Sequence, residues 1–318
     1  MLNTAFFLGK GGVGKTTLSS SFALNLARRG KKILVASLDP AHNLGDALKV
    51  HLSGEPKQVE PNLDALEVDL GKWVDKYLED SRRQLKANYS YNVTLNLDSF
   101  FNILKYSPGT EEYAVLWAIE DIHCRLGPLY DAVVFDTPPT ALSLRFLSLP
   151  TISGLWVKEL GALREKILEK RQTITRLNPD SPVAASCVDK DEDKVYGQLK
   201  SIRARLSVLE KLFAKESFLS VIVNPDQLSV DEALRIQDEL SKLSIPLSAV
   251  CVNKQGLSDM AWTQHSALSG YPQFEFDFSR AGITSREDLV AIGSEKLADL
   301  FMQISGEAPD TRKTRLWK

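Results

Sequence analysis

The run Gly9-Lys10-Gly11-Gly12-Val13-Gly14-Lys15-Thr16-Thr17 fits the pattern G-x-x-x-x-G-K-[ST]. Before it, Thr4 to Leu8 is apolar enough for a buried strand. After it, Thr16 to Arg29 carries Leu18, Phe22, Leu24 and Leu26 at helical spacing. Strand, glycine loop and helix in that order place free backbone N–H groups at a helix start, where they cradle phosphate. Gly11, Gly12 and Gly14, with Val13 between them, let the main chain pass close to phosphate oxygens. Lys15 adds a point charge at the β/γ end, the Thr16 hydroxyl is placed to ligate Mg²⁺, and Thr17 at the helix start counts with them as a nucleotide-binding residue. Few folds accept such a loop, and a parallel α/β sheet is the expected one.

Further apolar runs support that expectation. Ile33-Leu34-Val35-Ala36, Ala132-Val133-Val134-Phe135, Phe218 to Val223 and Leu247 to Val252 read as strands buried on both faces, and Leu63 to Val68 as a more peripheral one. Helical patterns alternate with them: 71–126 with breaks near 88–91 and 107–109, a stripe after Pro150 (Ile152, Trp156, Leu160, Leu163, Ile167), a seam from Val195 to Leu212, Ser229 to Leu243, and a last helix over 285–304. The fold class expected is α/β, a doubly wound, mostly parallel sheet with an inserted helical subdomain. Residues 1–70, 131–149 and 216–305 form the core, 71–130 and 150–215 the helical part, and 306–318 a short basic tail.

In such a sheet, ligands sit beyond the carboxyl ends of the strands. Two acids have that address. Asp136 ends an apolar strand and runs into Thr137-Pro138-Pro139, which suits an acid holding Mg²⁺ through its water shell. Asp39 opens Asp39-Pro40-Ala41-His42-Asn43-Leu44; it either orients an attacking water beside the γ-phosphate or is an ordinary turn acid before proline. Lys10 fits either a solvated surface cation or a second phosphate lysine.

Composition excludes several classes. With 39 basic and 41 acidic residues the net charge is −2, without the basic excess of a non-specific nucleic-acid surface. No run approaches the roughly 18 apolar residues of a membrane-spanning helix. The first strand begins too early to leave room for a signal peptide. Cys124, Cys187 and Cys251 are odd in number and scattered, as in a reducing compartment. A cytoplasmic protein is expected.

Lys10-Gly11-Gly12-Val13-Gly14-Lys15-Thr16-Thr17 as a block resembles the deviant phosphate loop of the dimeric ATPase class that includes MinD, ParA and the nitrogenase iron protein. Asp39-Pro40-Ala41-His42-Asn43-Leu44 resembles the first switch of one branch, the arsenite-pump and tail-anchored-protein-targeting ATPases. Asp136-Thr137-Pro138-Pro139-Thr140 with Leu144-Arg145-Phe146-Leu147 resembles its second switch, and Val252-Asn253 its adenine-reading strand end. The resemblance implies ATP and Mg²⁺ as cofactors, a homodimer, and an apolar client segment or membrane-protein partner. Carried over by position, Lys10 is a lysine acting on the partner subunit's nucleotide, Lys15 and Thr16 bind phosphate and Mg²⁺, Asp39 handles water, Asp136 is the Walker-B acid and Asn253 contacts adenine. Asp226 stands where the family has a nucleotide-contacting glutamate. His42 fits a structural residue of the switch.

Some family features are absent. Lys254 to Gly270 holds no cysteine, so the zinc of the eukaryotic-type targeting factors is not expected, and the Gly-His of the second switch is replaced by Ala141-Leu142. Two alternatives remain at this stage: a nucleotide-gated holding module with little turnover, and a partitioning ATPase of the MinD or ParA kind. The charge balance and the lack of a basic amphipathic C-terminal helix disfavour the second.

Overall fold

The computed structural model describes residues 2–41, 43–88, 107, 109–178, 189–257 and 268–306. In chain order the elements are β1 (Thr4–Leu8), α1 (Lys15–Arg28), β2 (Ile33–Ser37), α2 (Asn43–Leu48), β3 (Lys57–Glu60), β4 (Leu63–Glu67), α3 (Leu70–Asn88), α4 (Thr110–Asp121), β5 (Ala132–Asp136), α5 (Thr140–Leu177), α6 (Lys194–Lys215), β6 (Ser217–Val223), α7 (Gln227–Lys242), β7 (Ala249–Gln255), β8 (Gln273–Asp277), α8 (Arg286–Ala291) and α9 (Glu295–Ile304). A π-turn and a 3₁₀ turn, Ile122–Leu126 and Gly127–Leu129, lead from α4 to β5. The chain divides into two compact units: Met1–Gly71, Asp121–Arg145 and Leu212–Lys318 in one, Lys72–Glu120 and Phe146–Lys211 in the other.

The first unit holds one eight-stranded sheet in the order β3-β4-β2-β5-β1-β6-β7-β8. Every pairing is parallel except β3 with β4. The α/β fold with a mostly parallel sheet is therefore as the sequence predicts. β1 is central: it pairs with β5 on one side and β6 on the other, so the loop after it lies at the point where the strand order reverses, the usual ligand crevice of open α/β sheets.

Alternate side chains of a strand point to opposite faces, and β1 uses both. Phe6 stacks on Phe135 (4.8 Å between ring centroids) and meets Phe213 edge-on, while Phe7 meets Phe22 of α1 on the other face. Each such ring pair is worth about 1 kcal/mol beyond its burial. All residues of β1, β2, β5 and β6 are buried. The loop is thereby mounted on the most deeply buried part of the sheet.

The structure departs from the sequence reading in three places. β3 and β8 are edge strands with mostly exposed or half-exposed polar residues and no apolar run to reveal them. The last helix is two: Gly293 (φ 85°) breaks it, and the Ser294 hydroxyl is buried against Ser21 Oγ (2.9 Å) and Asn25 Nδ2 (2.8 Å) of α1. Helix also begins at Thr140 and continues past Pro150, where the sequence suggests a fresh start.

The second unit is helical. Tyr77 stacks on Tyr113 and meets Trp117 edge-on, the Arg205 guanidinium lies 4.2 Å from the Trp117 ring, and Arg205 also grips Glu120. Arg164 holds Asp193 through two hydrogen bonds. The apolar stripe of α5 is largely exposed, with Ile152 at 51% and Trp156 at 67%, and neighbouring Leu155 stands 62% exposed. Phe100 and Phe101 lie outside the described residues.

Candidate functional site: a phosphate loop with a buried acid

α1 starts at Gly14, whose left-handed backbone (φ 98°) turns the chain from strand to helix without any side-chain cap. The first N–H groups of the helix are left for a ligand, and the helix dipole favours an anion there. Gly9 and Gly12 are also at positive φ (148° and 79°). Gly9 has no room for a side chain, since a Cβ would sit 2.6 Å from the Ile222 carbonyl oxygen. At Gly14 it would sit 2.3 Å from Asn253 Nδ2. Around Gly11 and Gly12 there is open space.

Lys15 is buried. Its Nζ donates to the carbonyls of Gly9 (3.1 Å) and Lys10 (3.2 Å). Burial lowers its pKa, against the opposing pull of Asp136 and Asp39. The Thr16 hydroxyl donates to Asp136 Oδ2 (2.7 Å), and the Ser37 hydroxyl approaches the same oxygen at 3.5 Å. Asp136 is fully buried, and its Oδ1 accepts no hydrogen bond from the described residues. Burial pushes its pKa up to about 7, with Asp39 also raising it; the Thr16 hydrogen bond, the Lys15 charge and Ser37 all pull the other way. Both groups are buried, and at each the effect of burial against the charged form outweighs that of the opposite charge beside it. A phosphate would stabilise the ammonium and a divalent cation the carboxylate, so this donor set fits a metal–nucleotide ligand.

Asp39 follows β2 and is half-buried. Its Oδ1 accepts from the Ala41 N–H (3.0 Å), and its own N–H donates to Ser37 Oγ (3.3 Å), as in an Asx turn. The α2 helix beyond it is anchored by the Gly45 N–H, which donates to buried Glu67 Oε1 (2.8 Å). His42 lies outside the described residues. Lys10 is exposed, and none of the described residues takes its side chain as a partner. Thr17 is half-buried in the first turn of α1.

Asn253, at the end of β7, is buried, and its Nδ2 donates to the Val13 carbonyl (2.7 Å). With the nitrogen committed, the amide oxygen is the group that faces elsewhere. Asp226 is the N-cap of α7: its carboxylate accepts from the Ser229 N–H (2.9 Å). The structure thus gathers Lys15, Thr16, Asp136 and Asn253 by direct contacts around one loop, gives Asp226 a capping bond of its own, and leaves Lys10 at the surface.

Sequence reasoning missed two participants. Ser37 is the one polar residue of an otherwise apolar buried strand, and that was its signal. Lys254, next to Asn253, donates from Nζ to the Gly12 carbonyl (2.7 Å).

A family described as anion-transporting ATPase matches residues 2–267 of this chain. The chain belongs to that family. Among its relatives, the putative arsenical pump-driving ATPase 2 of Aquifex aeolicus is 30% identical over 249 residues, covering 78% of this chain and 79% of that protein. The putative arsenical pump-driving ATPase of Chlorobaculum tepidum is 31% identical over 258 residues, 78% of this chain but only 60% of the longer relative. The ATPase get3 of Schizosaccharomyces pombe is 31% identical over 261 residues, 80% and 73% of the two chains. Membership in the anion-transporting ATPase family makes the chain an ATPase by descent.

Proposed function

We propose that this ATPase binds ATP with Mg²⁺, hydrolyses it as a homodimer, and uses the cycle to alter an apolar surface on its helical unit. One observation carries the nucleotide part. A buried carboxylate, Asp136, meets the Thr16 hydroxyl beside an uncapped helix start and keeps one oxygen without a partner among the described residues.

The Thr16 hydroxyl would hold Mg²⁺ directly and Asp136 would take its bound water; the ion, when bound, neutralises charge on the phosphate oxygens. Lys15 exchanges its two loop carbonyls for phosphate oxygens. The N–H groups of the loop and of the first turn of α1 bind the remaining phosphate oxygens. Asn253, its nitrogen held by Val13, offers an amide oxygen, which accepts from an adenine amino group and repels the guanine carbonyl. Asp39 releases Ala41 and orients the attacking water. Lys10, exposed on the loop, supplies a cation to the partner subunit's nucleotide, a charge stabilisation of the arginine-finger kind. Asp226 borders the nucleotide while capping α7.

The effector surface is supported by the exposed Ile152, Leu155, Trp156, Leu160 and Leu163 of α5, and by a cavity of about 300 Å³ within the helical unit lined by Tyr77, Tyr113, Trp117, Trp156 and Leu209. An apolar segment of a client or of a membrane-protein partner fits such a surface. Residues 71–130 and 150–215 form this effector part in our reading, and the rest up to 305 the motor. The relatives named for arsenical pumps make driving of an anion pump the parallel role. Three scattered cysteines, Cys124, Cys187 and Cys251, an odd number, support a cytoplasmic site of action.

The test is light scattering of purified protein with Mg²⁺, ADP and fluoroaluminate, for wild type and Lys10→Ala. A compact dimer in the wild type that the variant fails to form is the expected outcome; a monomer under every condition refutes the dimeric mechanism. Asp39 bonded to Ala41 also suits a slow, nucleotide-gated holding module. Asp39→Asn separates the two readings: it abolishes turnover-driven release in a motor and leaves a holding module unchanged.

A further inference from the structure

Four carbonyls of the phosphate loop are held by side chains. Gly9 and Lys10 accept from Lys15, Val13 accepts from Asn253 Nδ2, and Gly12 accepts from Lys254 Nζ at 2.7 Å. Within a trans peptide plane the C=O and the following N–H point in opposite directions. Anchoring the Gly12 carbonyl therefore aims the Val13 N–H away from Lys254, and anchoring the Val13 carbonyl does the same for the Gly14 N–H. Successive N–H groups aimed to one side are what an anion-binding nest consists of.

Lys254 reaches its partner at a conformational cost. Its backbone is left-handed (φ 58°), at a point where the register between β7 and β8 slips between Val252 and Gln255. Glycine adopts that conformation freely, whereas a lysine there is strained. The strained backbone and the short contact are independent observations that converge on one side chain. No fold-stabilising role accounts for both, because glycine would serve the turn better.

We propose that Lys254 is a positioning residue for the nucleotide: its ammonium braces the Gly12 peptide so that the loop presents its N–H groups to a phosphate before any nucleotide arrives, and adds positive potential to the same loop. This rests on the ATP-binding reading above and extends it to a residue that the phosphate-loop motif does not contain.

The experiment compares wild type, Lys254→Gly and Lys254→Arg by titration with a fluorescent ATP analogue in Mg²⁺ and by thermal unfolding without nucleotide. Lys254→Gly is expected to weaken nucleotide binding about tenfold, the scale of one lost charge-assisted hydrogen bond. Its Tm should meanwhile stay level or rise as the backbone strain is relieved. Lys254→Arg is expected to restore most of the affinity. Affinity in Lys254→Gly equal to wild type overturns the proposal, as does a joint fall of Tm and affinity that Arg fails to rescue. Failure of the wild type itself to bind the analogue would instead overturn the ATP-binding reading.

Discussion

In the sheet unit the groups withdrawn from water are polar: Asp136 and Lys15 lie buried at the carboxyl edge of the sheet, with burial opposing the charge of each. In the helical unit the anomaly is reversed, because apolar side chains, Leu155 and Trp156 foremost, stand in water. A buried site whose charges burial disfavours fits a small ligand of defined charge. A stripe of exposed hydrocarbon fits a partner recognised by apolarity alone. The two regions also treat their acids differently. Asp136 is pushed up by burial, whereas Asp193 is held below the ordinary carboxylate range, chiefly by its hydrogen bonds from Arg164.

The contrast can be broken most forcefully at Asp136. Asp136→Asn should lower steady-state ATP hydrolysis by on the order of 10²–10³-fold, comparable to losing one preorganised electrostatic group in other active sites. Hydrolysis within threefold of wild type, in a variant with an unchanged circular dichroism spectrum, would place the chemistry elsewhere. In the helical unit the largest expected effect is on stability. Arg164→Ala strands Asp193, which is buried, and should cost about 3 kcal/mol in chemical denaturation. The affinity of the folded protein for ATP should not change.

The two acids predict opposite pH responses. A carboxyl whose folded pKa is raised binds more protons folded than unfolded between the two values, so its contribution falls as pH rises. For Asp136 that window runs from about 4 to about 7, and the nucleotide-free protein should lose on the order of 4 kcal/mol across it. Asn at 136 should flatten this slope. Asp193 works the other way: its contribution is present above the ordinary Asp pKa and is lost as pH falls through its lowered folded value. Arg164→Ala should remove that acid-side loss. A wild-type denaturation series between pH 3 and pH 8 that both variants leave unaltered would discard the contrast. The smallest effect belongs to the exposed stripe. Leu155→Ser with Trp156→Ser should change stability by no more than about 0.5 kcal/mol while reducing binding of a hydrophobic dye. Unchanged dye binding would assign the exposed apolar surface to other residues.

Legibility in the sequence followed the same division. The central strands announced themselves because a strand buried on both faces must be apolar throughout, as in Ala132 to Phe135. Edge strands carry no such obligation, and Lys57-Gln58-Val59-Glu60 gave no sign. The start of α5 was hidden because a buried position of its first turns is Ser143, whose hydroxyl donates to the Pro138 carbonyl, so the apolar period is interrupted. The phosphate loop and Asp136 were readable since backbone geometry restricts which residues can stand there. The link from Lys254 to Gly12 was not, because it joins residues distant in sequence and depends on one side chain reaching one carbonyl.

That distance has a consequence for how the protein is made. β1 and its loop leave the ribosome first, yet both neighbours of β1 come from residues 132–136 and 217–223, and the partner of the Val13 carbonyl comes later still, at Asn253. A nascent chain carries the glycine-rich motif well before the scaffold that shapes it has been made. The loop therefore gains its full set of side-chain anchors late, once residues 253 and 254 have been translated and the strand that carries them has joined the sheet.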